Sequence, residues 1–210
     1  MAAPSKIASP VAKPEKPKGA GRFITATEGW KIALVAKGWR DTPYAPQEKA
    51  GKRVAGSEKY AGGNPVKGEG ADCSGSVWAI YKEAGFPYGP YANTAMFVNR
   101  VATDADLIAA WLKNLVGIDA DFVKGRHFFK KVTMPQVGDI GWWNGHVAIY
   151  DNNVGKTDKG LDGNLWSARN PEQPFGPARI NWYDNYVDKK TGKNYGTVKW
   201  YRYWKAEDIK

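Results

Sequence analysis

Cys73 and His146 are the residues of this chain whose types and surroundings best suit joint chemistry. Cys73 is the only cysteine, and His127 and His146 are the only histidines. A sulfur nucleophile attacks a carbonyl carbon, and an imidazole beside it accepts and returns the proton. In Ala71-Asp72-Cys73-Ser74-Gly75-Ser76, the cysteine stands just before a helical pattern of Val77, Ile80, Tyr81 and Ala84 that stops at Gly85. Asp72 is placed to cap that helix. Cys73 therefore falls at the helix N-terminus, where the dipole and free N–H groups favour a thiolate. The same N–H groups can hold an oxyanion. His146 opens Val147-Ala148-Ile149-Tyr150, directly after Asn144-Gly145. Asn-Gly between apolar runs signals a hairpin, which puts the imidazole at the rim of a sheet. His127 lies in Lys124-Gly125-Arg126-His127, a basic stretch that reads as solvent-exposed.

Other chemistries lack their residues. One cysteine makes no intramolecular disulfide and no multi-thiolate zinc site. No HExxH pattern is present, so neither a metal nor an organic cofactor is expected.

The elements that must position these groups divide the chain in two. Residues 1–22 read as a disordered arm of Pro, Lys and Ala, and 23–210 as one domain. A helix is predicted over Thr27–Lys37, with Trp30, Ala33, Leu34 and Ala36 on its apolar spacing. Residues 42–70 are rich in Gly, Pro and Lys and predict a long irregular segment. Residues 93–116 predict mainly helix, with Asn93 as a cap and Ala105–Leu115 carrying Trp111 and Leu112 inward. Strands are predicted at 128–132, 139–143, 146–150, 164–168, 178–182 and 197–204. Alternation sends Trp142 and Trp143 to opposite faces, one to the core and one to the border of a groove. Helices first and strands second indicate α+β, with N-terminal helices packed on an antiparallel sheet.

The formal charge of +10 favours a polyanionic partner, such as a cell wall, a membrane surface or nucleic acid. No zinc-finger spacing, basic heptad helix or RNA-recognition signature accompanies it, so a specific nucleic-acid partner is not expected. No apolar run reaches the roughly 18–20 residues of a membrane span. Met1–Ala20 lacks the apolar core of a signal peptide. The expectation is action in the cytosol or export by a route that reads no cleavable signal.

Asp72-Cys73-Ser74-Gly75 with its helix resembles the nucleophile motif of the NlpC-like cell-wall cysteine peptidases. Val137-Gly138-Asp139-Ile140 followed by Gly145-His146-Val147-Ala148-Ile149-Tyr150 is similar to their histidine motif, and Thr42-Pro43-Tyr44 to the stretch ahead of the cysteine. The resemblance covers about residues 27–182. It implies a compact papain-like fold, Cys73 as nucleophile and His146 as base. In that family a third polar residue, often histidine, orients the base from the next strand. Leu165-Trp166-Ser167-Ala168 puts Ser167 there, a departure. A hydroxyl accepts the imidazole N–H more weakly than a carboxylate. Asp162, Asn164 and Asn170 are the alternatives. The resemblance also implies a substrate role for Tyr44, against a core tyrosine with its tip in water. Asp72 reads as a cap beside the substrate site, and Ser74 either caps the helix or touches substrate.

The implied activity is cleavage of an amide in the peptidoglycan stem peptide, most often between γ-D-Glu and diaminopimelate. Without a signal, delivery to rival cells by a secretion machine or release as a phage-type lysin would bring enzyme to wall. The first route implies an immunity protein over the cleft. A wall-binding module without turnover, or a cysteine-dependent acyltransferase or deamidase acting on a protein, are the other classes consistent with these residues.

Overall fold

Thr25 opens the first helix with both bonds of a capping box: its hydroxyl accepts the Glu28 N–H, and Glu28 accepts the Thr25 N–H. The computed structural model describes residues 22–45, 58–60, 62–95, 97, 101–102, 129–168, 173–189 and 191–205. The expected helix at 105–115, most of the expected arm, His127 and Asn170 lie outside them. Arg22, counted with the arm on sequence grounds, belongs to the fold. It pairs with Lys205 in the sheet and forks onto Glu28 at 2.6 and 2.8 Å. That fork holds the Glu28 carboxyl at about 2.

Helix α1 runs Ala26–Gly38, close to expectation, but it presents a different face. Gly29, Ile32, Ala33 and Ala36 are buried, whereas Trp30 is 51% and Leu34 70% exposed. The reason is a backbone contact. Gly29 packs against Val137 and Gly138 so closely that a Cβ there would run into the Val137 carbonyl. That contact turns Trp30 and Leu34 outward. Helix α2 runs Cys73–Glu83 and buries Val77, Ile80 and Tyr81, as the spacing predicts. It gives way to Gly85 at φ +86°, a conformation that favours glycine.

Eight strands form one sheet: β1 Arg22–Phe23, β2 Val101–Ala102, β3 Phe129–Val132, β4 Ile140–Trp143, β5 His146–Tyr150, β6 Leu165–Ser167, β7 Gly176–Ala178 and β8 Lys199–Lys205. The order is β2-β3-β8-β4-β5-β6-β7, with β1 also on β8. All pairs are antiparallel except β2 with β3. The α+β expectation therefore holds, with a parallel edge strand inside a stretch read as mainly helix. The strand expected at 178–182 is also different. The chain leaves β7 at Ala178 and enters a 3-10 turn, Ile180–Trp182, because Asn164 Oδ1 takes the Ile180 N–H at 3.0 Å.

The sheet is packed on both faces. On one face Ile32 of α1 and Val77, Ile80 and Tyr81 of α2 pack against Phe129, Val147, Ile149, Trp166 and Tyr203 of the strands. The other face holds a smaller cluster of Trp143, Ala148, Leu165, Ala178 and Trp200, with Trp182 and Tyr183 packed on it. Val147 and Ile149 thus point to the helices and Ala148 away, the period of two expected of a strand. Arg202 on β8 forks onto Asp139, which directly precedes the neighbouring strand β4 and whose carboxylate has no exposure. Burial raises the Asp139 carboxyl, and the guanidinium opposes the rise. Among the described residues no helix is long and apolar enough to cross a membrane.

Candidate active site at the start of strand β5

Cys73 is the first residue of α2, and Asp72 is its N-cap. The cap is closed completely: Asp72 Oδ1 accepts the Gly75 N–H at 2.7 Å and the Ser74 hydroxyl at 3.1 Å, and Oδ2 accepts the Gly62 N–H at 2.9 Å. One buried carboxylate thereby holds both the helix start and the loop before it. Gly75 is required at this spot, since a Cβ would strike the Gly62 carbonyl. Ser74 Oγ also lies 2.7 Å from the Tyr91 hydroxyl. Asp72 and Ser74, expected near substrate, are both bonded into this lattice, while Tyr44 is joined to it by a backbone bridge with Ala71.

The Cys73 thiol is buried, and burial pushes it up to about 11. The Asp72 carboxylate adds to the rise, while the N–H groups of Val147 and Ser74 and the Thr94 side chain bond the sulfur and oppose it. The helix N-terminus was expected to favour a thiolate. Desolvation and the capping charge outweigh it, so the resting group is the neutral thiol. The Val147 contact sets the sulfur near the first peptide of β5, whereas the His146 ring is held by Ser167, Trp143 and Tyr183.

His146 begins β5 as predicted, after a turn whose Gly145 adopts φ +92°. Its ring is buried on the side of Trp143 and Tyr183. Nε2 lies 2.9 Å from Ser167 Oγ, which places Ser167 where the resemblance implies the orienting group. The alternatives are engaged elsewhere: Asn164 with Ile180, and exposed Asp162 with Lys156 at 2.7 Å. Tyr183 completes the cluster. Its ring stacks on the imidazole at 4.2 Å and 23°, and its hydroxyl is 3.0 Å from Ser167 Oγ. Sequence reasoning missed Tyr183, Thr94 and Tyr195. The Tyr195 hydroxyl is raised by burial, with Asp188 and Cys73 contributing, so it shares the electrostatic surroundings of the sulfur.

The two tryptophans of β4 divide as alternation predicts. Trp143 is fully buried against His146 and Tyr183. Trp142 is half-buried, and its Nε1–H donates to the Thr94 carbonyl at 2.8 Å, on the Cys73 side. Tyr195 accepts the Asn144 N–H through its carbonyl, so the 183–198 segment leans on the turn that presents His146. A separate groove of about 470 Å³ lies beyond the far end of β5, between the outer face of α1 and residues 151–155. No described group of three or more His, Cys, Asp and Glu side chains could hold a metal ion. Chemically, the cluster offers a protonated sulfur nucleophile, an imidazole held through one nitrogen, and a helix N-terminus.

No family model, curated protein or solved structure matches the chain.

Proposed function

We propose that this protein is a cysteine peptidase of papain-like fold that hydrolyses an amide of the peptidoglycan stem peptide, with Cys73 as nucleophile, His146 as base and Ser167 as its orienting partner. The observation that carries the reading is the junction of α2 and β5: the N–H of Val147, the residue after His146, acts on the Cys73 thiol, and the imidazole is held through Nε2 by Ser167 at 2.9 Å. Nδ1 is then the nitrogen for proton transfer. Because the thiol rests protonated, His146 takes its proton as the sulfur attacks, rather than meeting a preformed thiolate. The tetrahedral oxyanion is received by the Cys73 N–H at the start of α2, since the Gly75 and Ser76 N–H groups are held by the Asp72 side chain and carbonyl. Imidazolium protonates the leaving amine, and water activated by His146 hydrolyses the thioester.

The stem peptide suits the chain's charge, because its D-Glu and diaminopimelate units carry carboxylates and the protein carries +10. Cleavage between those two units is the bond favoured by the resemblance. Delivery into rival bacteria fits an unmasked wall hydrolase, with an immunity protein in the producer covering the cleft. Incubating purified sacculi with the protein and analysing soluble muropeptides by mass spectrometry tests the reading. Fragments ending in γ-D-Glu, absent with Cys73→Ala, are expected. No soluble fragment from wild type would overturn it.

A second reading has its own support. A buried thiol near 11 is poorly prepared for turnover, and a wall-binding module needs none. Sedimentation with intact sacculi, without release of fragments, would favour it.

A further inference from the structure

A serine is an ambiguous partner for a catalytic imidazole. Its oxygen can accept from Nε2–H, which leaves Nδ1 with a lone pair, or its hydrogen can be donated to Nε2, which moves the ring proton to Nδ1. Only the first arrangement lets His146 accept a proton from a neutral thiol. Something must therefore set the direction of the Ser167 hydroxyl.

We infer that Tyr183 is the positioning residue that does so: its oxygen accepts the Ser167 hydroxyl hydrogen and thereby holds His146 as the Nε2–H tautomer. The inference rests on the reading of His146 as base. The geometry is a continuous line from His146 Nε2 to Ser167 Oγ at 2.9 Å and on to the Tyr183 hydroxyl at 3.0 Å. Ser167 is 1% exposed, so water is a poor substitute partner. Hydrogen bonds then run one way, from Nε2 to Ser167 and from Ser167 to Tyr183. Each donor in such a chain strengthens the next.

The position of Tyr183 is fixed from several sides. Its ring lies between His146 at 4.2 Å and Trp143 at 5.2 Å. The preceding 3-10 turn is tied to the start of β6 through Asn164. The next residue, Asp184, accepts the Trp143 indole N–H at 2.8 Å and the Val198 N–H at 2.9 Å through one oxygen. The tyrosine hydroxyl is therefore aimed by the second face of the sheet, not by the loop alone. The stack has a further effect, since an aromatic face favours imidazolium over neutral imidazole during the step that creates it.

The test is the nitrogen-15 spectrum of imidazole-labelled full-length protein, with His127→Gln used to identify the His146 signals. Above the His146 titration, wild type is expected to show the Nε2–H tautomer. Tyr183→Phe keeps the ring and removes the oxygen, and should move His146 to a mixture or to Nδ1–H. Ser167→Ala should also disturb the tautomer, and Ser167→Thr should restore it. Thermal melts within a few degrees of wild type would show that the variants fold. Unchanged His146 nitrogen shifts in folded Tyr183→Phe would overturn the inference. On stem peptide, the same variant should lower kcat about three- to tenfold with KM unchanged, a loss confined to the reacting step. A wild type that cleaves nothing would overturn the peptidase reading, whereas the tautomer result tests Tyr183 without turnover.

Discussion

The two halves of the candidate site are built in opposite ways. The cysteine half is local: Asp72 bonds Ser74 and Gly75 within three residues and reaches back to Gly62. The histidine half is assembled from distant chain, with Ser167 21 residues from His146 and Tyr183 16 residues beyond Ser167. A local cap forms whenever its helix forms. A distant cluster needs the finished sheet, because its members come from β5, β6 and the turn after β7. Cys73, the proposed nucleophile, is thus positioned by secondary structure and His146, the proposed base, by tertiary structure. Damage should reach the two through different routes.

The largest expected effects remove a half outright. Cys73→Ala should bring muropeptide release to background, and His146→Ala should lower it about 10²–10⁴-fold. Equal residual rates in Cys73→Ala and wild type would erase the comparison, since neither half would then serve turnover. Next comes the cap. Asp72→Ala removes the acceptor of the Gly75 and Gly62 N–H groups and of the Ser74 hydroxyl and should cost about 2–3 kcal/mol in urea unfolding. A loss under about 0.5 kcal/mol would show that the cysteine half is held by packing instead.

Proton linkage sharpens the same half. The native thiol keeps its proton to about 11, against an ordinary value of 9.0. Between those values the unfolded chain releases its proton first. The stabilising difference is therefore complete below pH 9 and is lost as pH rises towards 11. Wild type should lose about 2–3 kcal/mol more than Cys73→Ser across that window, measured by denaturant unfolding at each pH. Parallel curves would mean that the sulfur is well solvated. The smallest effect belongs to the histidine half. Asn164→Ala removes one bond to the Tyr183 turn and should cost about 1 kcal/mol. It should also reduce muropeptide release a few-fold, whereas an equally destabilising surface change should not.

The difference between the halves also explains what could be read in the sequence. Helix α2, its Asp72 cap and strand β5 are written in neighbouring residues, and their bounds follow from spacing and turn chemistry. Ser167 was reachable through the resemblance, which implies an orienting group at its position on the next strand. Tyr183 was not. It is one of 11 tyrosines, and the stretch before it carries the apolar run of a strand. Only the Asn164 bond, made by a distant side chain, turns that run into a 3-10 turn. The face of α1 was misread for a related reason. Periodicity counts side chains, and the contact that rotates this helix is made by Gly29, which has none. The thiol's protonation was hidden as well. The helix start is local, but the burial that overrides it comes from the sheet.

Strand β8 has a consequence for the order in which the molecule is made. It is the last described strand in the chain, yet it lies between β3 and β4 and joins to both. While a ribosome is still adding residues before 199, the β2–β3 edge and the β4–β7 array lack their common neighbour, and Asp139 lacks the Arg202 guanidinium. A nascent chain halted there would hold the Asp72-capped helix α2, but the sheet that carries His146 and Ser167 would still be divided at the place of β8.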